Sequence, residues 1–199
     1  LGVVYTGTRY IDARTQDSLI TTPTLEGDVT RDILTGGQLE EFSAAMVRAS
    51  VIEHAGLPDE RFPSWQDREW YLRLSQHCTF GVIPEPLTVR QMGHGGQIRD
   101  EYEPKRDVSY PLFLSLHRPL AASYGPQCER RFVGSLTRLL GQSAFKNGYY
   151  RDAAKYLARS LRYEPFATEA YPYLLAALGG ERTHRLGQRL LGIARSVRR

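Results

Sequence analysis

A chain of 199 residues with 41% hydrophobic content is long enough for one large or two small buried cores, and it reads as globular rather than disordered. Its formal charge of +4 is modest, and Cys78 and Cys128, outside any Cys-x-x-Cys or Cys/His spacing, exclude a disulfide framework and a zinc ribbon. No run approaches a membrane span, and the N-terminus lacks the pattern of a signal peptide, so reduced thiols in a cytoplasmic protein are the expectation.

Gly2 to Gly7 is an apolar run bounded by glycines and Arg9 to Asp12 alternates, which predicts two short strands. Residues 13 to 27 read as loop. Asp28 is placed to cap a short helix through Leu34 that Gly36-Gly37 stops, and Phe42 to Val47 reads as a buried strand. Ser50-Val51-Ile52-Glu53 has the form of a capping box, with Gly56 ending that helix and Asp59 in a turn.

The next stretch, Pro63 to Leu74, carries Trp70, Tyr71 and Leu74 at helical spacing, with Ser64 where an N-cap side chain belongs. Asp67 then falls in the first turn. Spacing alone makes it the acid of a second capping box, favoured by the helix dipole. The setting adds another reading, because Trp65 and Trp70 flank this acid beside a loop with Gly56, Pro58 and Pro63, as in a site for a polar ring. Thr79 to Ile83 and Leu87 to Arg90 follow as strands near a sheet edge, separated by Pro84 and Pro86. Met92 to Gln97 is a glycine-rich loop without the spacing of a phosphate-binding motif.

From Glu101 onward strand-like runs give way to helical patterns. Helices are expected over Pro111 to Leu116 and Pro119 to Tyr124, then a long amphipathic one from Gln127 to Lys146. Leu140-Gly141, Ala153, Leu157 and Pro165 have the spacing of one tetratricopeptide-like repeat (about 134–167) with Asn147-Gly148-Tyr149 as its turn, although Ala144 and Ser160 depart from the pattern. A generic helical hairpin fits the same residues. A helix from Thr168 to Leu178 is expected to pack on this pair. The end, Glu181 to Arg199, sets Leu186, Leu190, Leu191, Ile193 and Val197 among six arginines and one acid; such a basic amphipathic helix suits a membrane surface or an acidic partner, or is a solvated tail. A nucleic-acid role is disfavoured because aromatic residues are not interleaved with the basic ones.

The ordered series Ala45-Met46-Val47-Arg48, Val51 to Glu60, Gln66 to Leu74 and Pro84 to Arg90 resembles the acceptor half of family 2 glycosyltransferases over roughly residues 1 to 98. The resemblance implies an α/β fold, the C-terminal half of a Rossmann-like nucleotide-diphospho-sugar transferase domain over 1–100, followed by an all-α extension over 101–199. It implies that Asp67, the acid of the Gln66-Asp67 pair, is the catalytic base. It also implies acceptor contacts from Trp65, Gln66 and Trp70, a donor contact from Ser43, and His94 as a ligand of a divalent cation, manganese or magnesium. Trp70 has a competing role in the core, Ser43 as a satisfied strand serine, and His94 as an exposed loop residue.

The nucleotide-binding half and its Asp-x-Asp are expected upstream of Leu1, so residues 1–199 alone are expected to transfer no sugar. The function implied is inverting transfer from a nucleotide-sugar donor to a carbohydrate or lipid-linked acceptor, in the cytoplasm or at the inner face of the membrane. The alternative is a non-enzymatic helical interaction module.

Overall fold

The computed structural model describes residues 1–13, 15–92, 101–181 and 183. The chain divides into two compact units, Leu1–Arg99 and Asp100–Arg199.

The first unit is mixed α/β, built on β1 (Val3–Asp12). β2 (Ser18–Thr21) and β3 (Ala45–Val47) pair antiparallel with the end and the start of β1, while β4 (Phe80–Met92) runs parallel to it along almost its whole length. The same β1 residues that pair with β2 and β3 also pair with β4, so β4 lies on the opposite edge of β1. Val3, Tyr5 and Phe80 form the buried face, and the Tyr5 hydroxyl donates to Leu25 O at 2.7 Å, anchoring the chain between β2 and the first helix.

Several boundaries differ from the sequence expectations. The two strands anticipated around Gly7 are one, because Gly7 passes beneath its neighbours without a side chain: a Cβ there would lie 2.5 Å from Thr21 O and 3.3 Å from Pro86 Cα. The residues taken as loop contain β2, whose mostly exposed residues carry no burial alternation and which is held by main-chain pairing with β1. The strand expected over Phe42 to Val47 starts as a 3-10 turn, Phe42–Ala44, and only its last part joins the sheet. β4 is one strand rather than two, with Pro84 to Leu87 bulging out of the ladder between Ile83 and Thr88; the prolines have no N–H to pair.

Three helices complete this unit: α1 (Thr30–Leu34), α2 (Ala49–Ala55) and α3 (Gln66–Ser75). Asp28 accepts the Thr30 N–H at 3.2 Å but is not the cap expected of it, since the N-cap of α1 is Val29, without a side-chain cap bond. Neither capping box forms. Ser50 lies inside α2, whose N-cap is Arg48, and its C=O accepts from the His54 ring. Ser64 precedes an N-cap occupied by Trp65, a left-handed residue at φ 65° without a side-chain cap bond. Gly56 ends α2 at φ 77°, a conformation that suits glycine.

Three successive carbonyls at that end accept from α3. Ala55 O takes the Arg73 guanidinium, Gly56 O the Trp70 indole N–H at 2.8 Å, and Leu57 O a second Arg73 nitrogen at 2.9 Å. Arg73 is itself held by the buried Glu69 through two bonds of 2.7 and 2.8 Å. Ala55 O, at the C-terminus of α2, and the two carbonyls that follow it are thus answered by side chains of the neighbouring helix.

Among the described residues of the second unit there are helices and no strand. α4 (Tyr102–Pro104), a π-helical turn (Lys105–Ser109) and α5 (Tyr110–Ser123) run without a break, so the two short helices expected on either side of Pro119 are one. Tyr110, Phe113, His117 and Ala121 are its buried stripe, and burial outweighs the hydrogen bond that Pro119 forgoes. α6 (Pro126–Lys146) and α7 (Tyr150–Tyr163) form a hairpin about Asn147 to Tyr149, and α8 (Ala170–Leu178) packs on α7. Leu140, Ala144, Ala153, Leu157 and Ser160 are all buried between them.

Gly141 sets the approach of α7: a Cβ there would lie 2.9 Å from Leu157 Cγ and 3.1 Å from Leu157 N. Backbone cannot yield as a side-chain tip can, so Gly141→Ala is expected to cost about 1–3 kcal/mol by overpacking despite alanine's higher helix propensity. Urea unfolding of the two proteins measures it.

Glu164, just after α7, supplies a pH dependence. Burial pushes its carboxyl above the ordinary value of 4.5, against the pull of Arg138 and Arg131. The folded state therefore holds this proton more tightly than the unfolded state does. The stability gained is full below about 4.5 and is lost as pH rises through the folded-state value. Relative to Glu164→Gln, the parent is expected to gain thermal stability on acidification from neutrality, read as the difference in Tm across a pH series.

Candidate functional site

A cavity of about 180 Å³ opens between the C-terminal turn of α1 and the first turns of α3. One wall is the segment Gly37-Gln38-Leu39-Glu40; the other is Trp65, Asp67, Arg68 and Tyr71.

The first wall is shaped by a tight main-chain turn. Gly37 N donates to Asp32 O at 2.7 Å, and a Cβ on Gly37 would meet that same oxygen at 2.7 Å, so the turn requires glycine here. Arg68 closes it from α3, donating to Ile33 O at 3.2 Å and to Gly37 O at 3.1 Å. One helical turn further on, the buried Tyr71 hydroxyl donates to Glu41 O at 3.2 Å. Adjacent glutamates then diverge. Glu41 pairs with Arg90 and accepts from Tyr10, whereas Glu40 lines the cavity.

The second wall begins with Trp65. A bulky residue at positive φ stores backbone strain of about 1–3 kcal/mol, the kind of feature found at ligand sites. Asp67 follows in the first turn of a ten-residue helix, and its Oδ1 accepts the Arg68 N–H at 2.7 Å. That bond holds the carboxylate at the positive end of the helix. The two carboxylates act on one neighbour: burial raises the Tyr71 hydroxyl well above the usual tyrosine range, with Asp67 and then Glu40 adding to the shift. Tyr71 therefore remains a proton donor.

Of the residues singled out from sequence, Asp67 and Trp65 are brought together in the cavity. Gln66 starts α3 but does not line the cavity. Trp70 faces the core, 9% exposed, with its N–H on Gly56 O and its ring edge-on to Phe42 at 5.4 Å. Ser43 is exposed in the 3-10 turn, away from the cavity lining. His94 and the basic segment 184–199 lie outside the described residues. Sequence reasoning missed Glu40, Arg68 and Tyr71; the Gly36-Gly37 stop was the available sign that a turn is built here.

Among the described residues no group of three or more His, Cys, Asp or Glu side chains is arranged to hold a metal ion. The cavity lining offers two such side chains, Glu40 and Asp67, which by themselves are too few for the expected divalent cation. No described helix is long and apolar enough to cross a membrane. Comparison with family models, curated proteins and solved structures finds no match.

Proposed function

We propose that the first unit is the acceptor side of an inverting, nucleotide-sugar-dependent glycosyltransferase of the family 2 type, with the Rossmann-like fold that this implies and the helical unit as its extension. The observation that carries the reading is the joint position of Asp67 and Trp65 in one cavity, the acid fixed by the helix N-terminus and the ring beside it. Trp65 covers the apolar face of the acceptor sugar. Asp67 takes the proton of an acceptor hydroxyl as that oxygen bonds to the anomeric carbon, and the bond to the nucleoside diphosphate breaks with its electron pair leaving on the diphosphate. A carboxylate is a weak base, so it acts late in attack, when the hydroxyl has become acidic. Position matters more than basicity.

The test is the transfer reaction of the native-length polypeptide with nucleotide-sugar donors and an acceptor panel, the anomeric configuration of the product being read by NMR. Inverted product that depends on Asp67 supports the reading; hydrolysis or transfer with retention overturns it.

A second reading, a helical interaction module, is favoured by one feature of the second unit. Phe166 is 93% exposed and Leu175 and Leu178 are also largely exposed on and beside α8, an apolar surface of the kind that marks contact with a further protein segment. Absence of transfer together with stable capture of one partner by the second unit would favour it.

A further inference from the structure

The outer side of α7 is a row of cations. Arg151, Lys155, Arg159 and Arg162 are exposed at helical spacing, which sets them on one side of the helix over about 16 Å of its length, opposite the buried Ala153, Leu157 and Ser160. The contacts of this row leave its charge in place. Lys155 Nζ lies 5.5 Å from the centroid of the Tyr156 ring, an interaction that orients an ammonium without neutralising it. A fifth cation, Arg130 of α6, joins the row at its C-terminal end, donating to Tyr163 O at 2.8 Å and to Arg162 O at 3.3 Å. The acids that flank the row in sequence are turned to other groups: Asp152 accepts from the Tyr102 hydroxyl at 2.7 Å, and Glu164 faces Arg131 at 3.5 Å.

At the same end of α7 an aromatic ring is held out to solvent. Glu164 to Ala167 is a turn closed by the Ala167 N–H on Glu164 O at 3.1 Å, and Tyr171 pins it by donating its hydroxyl to Pro165 O at 2.6 Å. Phe166 sits in that turn and is 93% exposed. Fixing a phenylalanine in water forgoes a gain that only an apolar phase or pocket returns. We infer that α7 and this turn dock on the surface of an anionic lipid bilayer, the row of cations lying along the headgroups and Phe166 entering the acyl boundary. A bilayer answers such a row in any register, because its headgroup charges recur across the whole plane, whereas a protein partner would need acids at the same spacing and a separate pocket for the ring. Docking of this kind is independent of the chemistry of the first unit and would stand if no sugar is transferred.

The experiment is co-sedimentation of the full chain with vesicles of phosphatidylcholine alone and of phosphatidylcholine with about one-third phosphatidylserine. Binding is expected to the mixed vesicles and not to the neutral ones, and it weakens as salt is raised. Each cation near an anionic surface is worth about fivefold in affinity, so the quadruple variant Arg151→Gln, Lys155→Gln, Arg159→Gln, Arg162→Gln is expected to bind the mixed vesicles about a hundredfold more weakly or worse. Phe166→Ala is expected to weaken binding by about tenfold. Glutamine keeps the helix propensity of the residues it replaces, and circular dichroism checks the fold; should the quadruple variant unfold, Arg151→Gln with Lys155→Gln alone, expected at about twentyfold, decides the same point. The arginines beyond Glu181 are untouched in every variant, so the change read belongs to α7 and its turn. Equal binding to both kinds of vesicle, binding to neither, or binding unchanged by the glutamine substitutions or by Phe166→Ala overturns the inference. Capture by polyglutamate without binding to the vesicles also overturns it and makes the partner an acidic polypeptide.

Discussion

On the function proposed, Asp67→Asn in the full-length enzyme is expected to lower sugar transfer by about a hundredfold or more, the usual range for losing a general base, while the protein remains folded. Asparagine keeps an oxygen that can accept the Arg68 N–H, which Asp67 Oδ1 holds at 2.7 Å, and it is as good a residue near a helix start as aspartate. What it cannot do is take a proton. Donor binding, measured in parallel, should be nearly unchanged, because the proposed role of Asp67 is toward the acceptor alone. The loss therefore belongs in kcat rather than in affinity for the nucleotide sugar. Transfer within a fewfold of the parent would return Asp67 to the role of a first-turn acid that favours the helix dipole.

The second large effect is on stability. Glu69→Ala is expected to cost about 3–5 kcal/mol, because it leaves the Arg73 guanidinium without the buried carboxylate that holds it. Glu69 is 1% exposed and meets Arg73 through both oxygens. Arg73 in turn donates to Ala55 O and Leu57 O, so the damage spreads from one ion pair to the end of α2. Denaturant unfolding measures the difference. A cost below about 1 kcal/mol would place the pair among surface-like ion pairs of little weight and would mean that Trp70 on Gly56 O, with the surrounding core, holds that helix end unaided.

These two acids stand two residues apart in one helix, and the sequence shows why one is easier to read than the other. Helix periodicity marks Trp70, Tyr71 and Leu74 as the inner face, and Asp67 lies a turn earlier at the helix start. The stop at Gly36-Gly37 and the end of α2 at Gly56 are legible for the same reason: local backbone geometry selects the residue. The change of composition after Glu101 falls beside the division into two units.

What the sequence hides is set by tertiary approach. Glu40 and Glu41 are chemically alike and adjacent, and only the meeting of their segment with α3 and β4 sends one to the cavity and the other to Arg90. Trp65 as a left-handed N-cap opposes its local preference, and Ser64 looked the better cap; the chain adopts the strained residue where the cavity is built. Gly7 and Pro119 mislead in a different way. Each is ordinarily read as a break, yet Gly7 continues a strand because its neighbours crowd it, and Pro119 continues a helix because the buried face on both sides holds.

The bulge of β4 bears on how that strand finds its place. Four residues, Pro84 to Leu87, stand against the single Gly7 of β1, with paired ladder on either side of them. A slip of the two strands by one position would carry a proline into the ladder, where it has no N–H to offer, and would set a side chain other than that of glycine against Pro86, whose Cα would lie 3.3 Å from a Cβ at Gly7. Misaligned pairings are thereby penalised twice, once by a missing donor and once by collision. The ladder segments before and after the bulge are consequently locked to each other, so that zipping from either end can close on only one alignment.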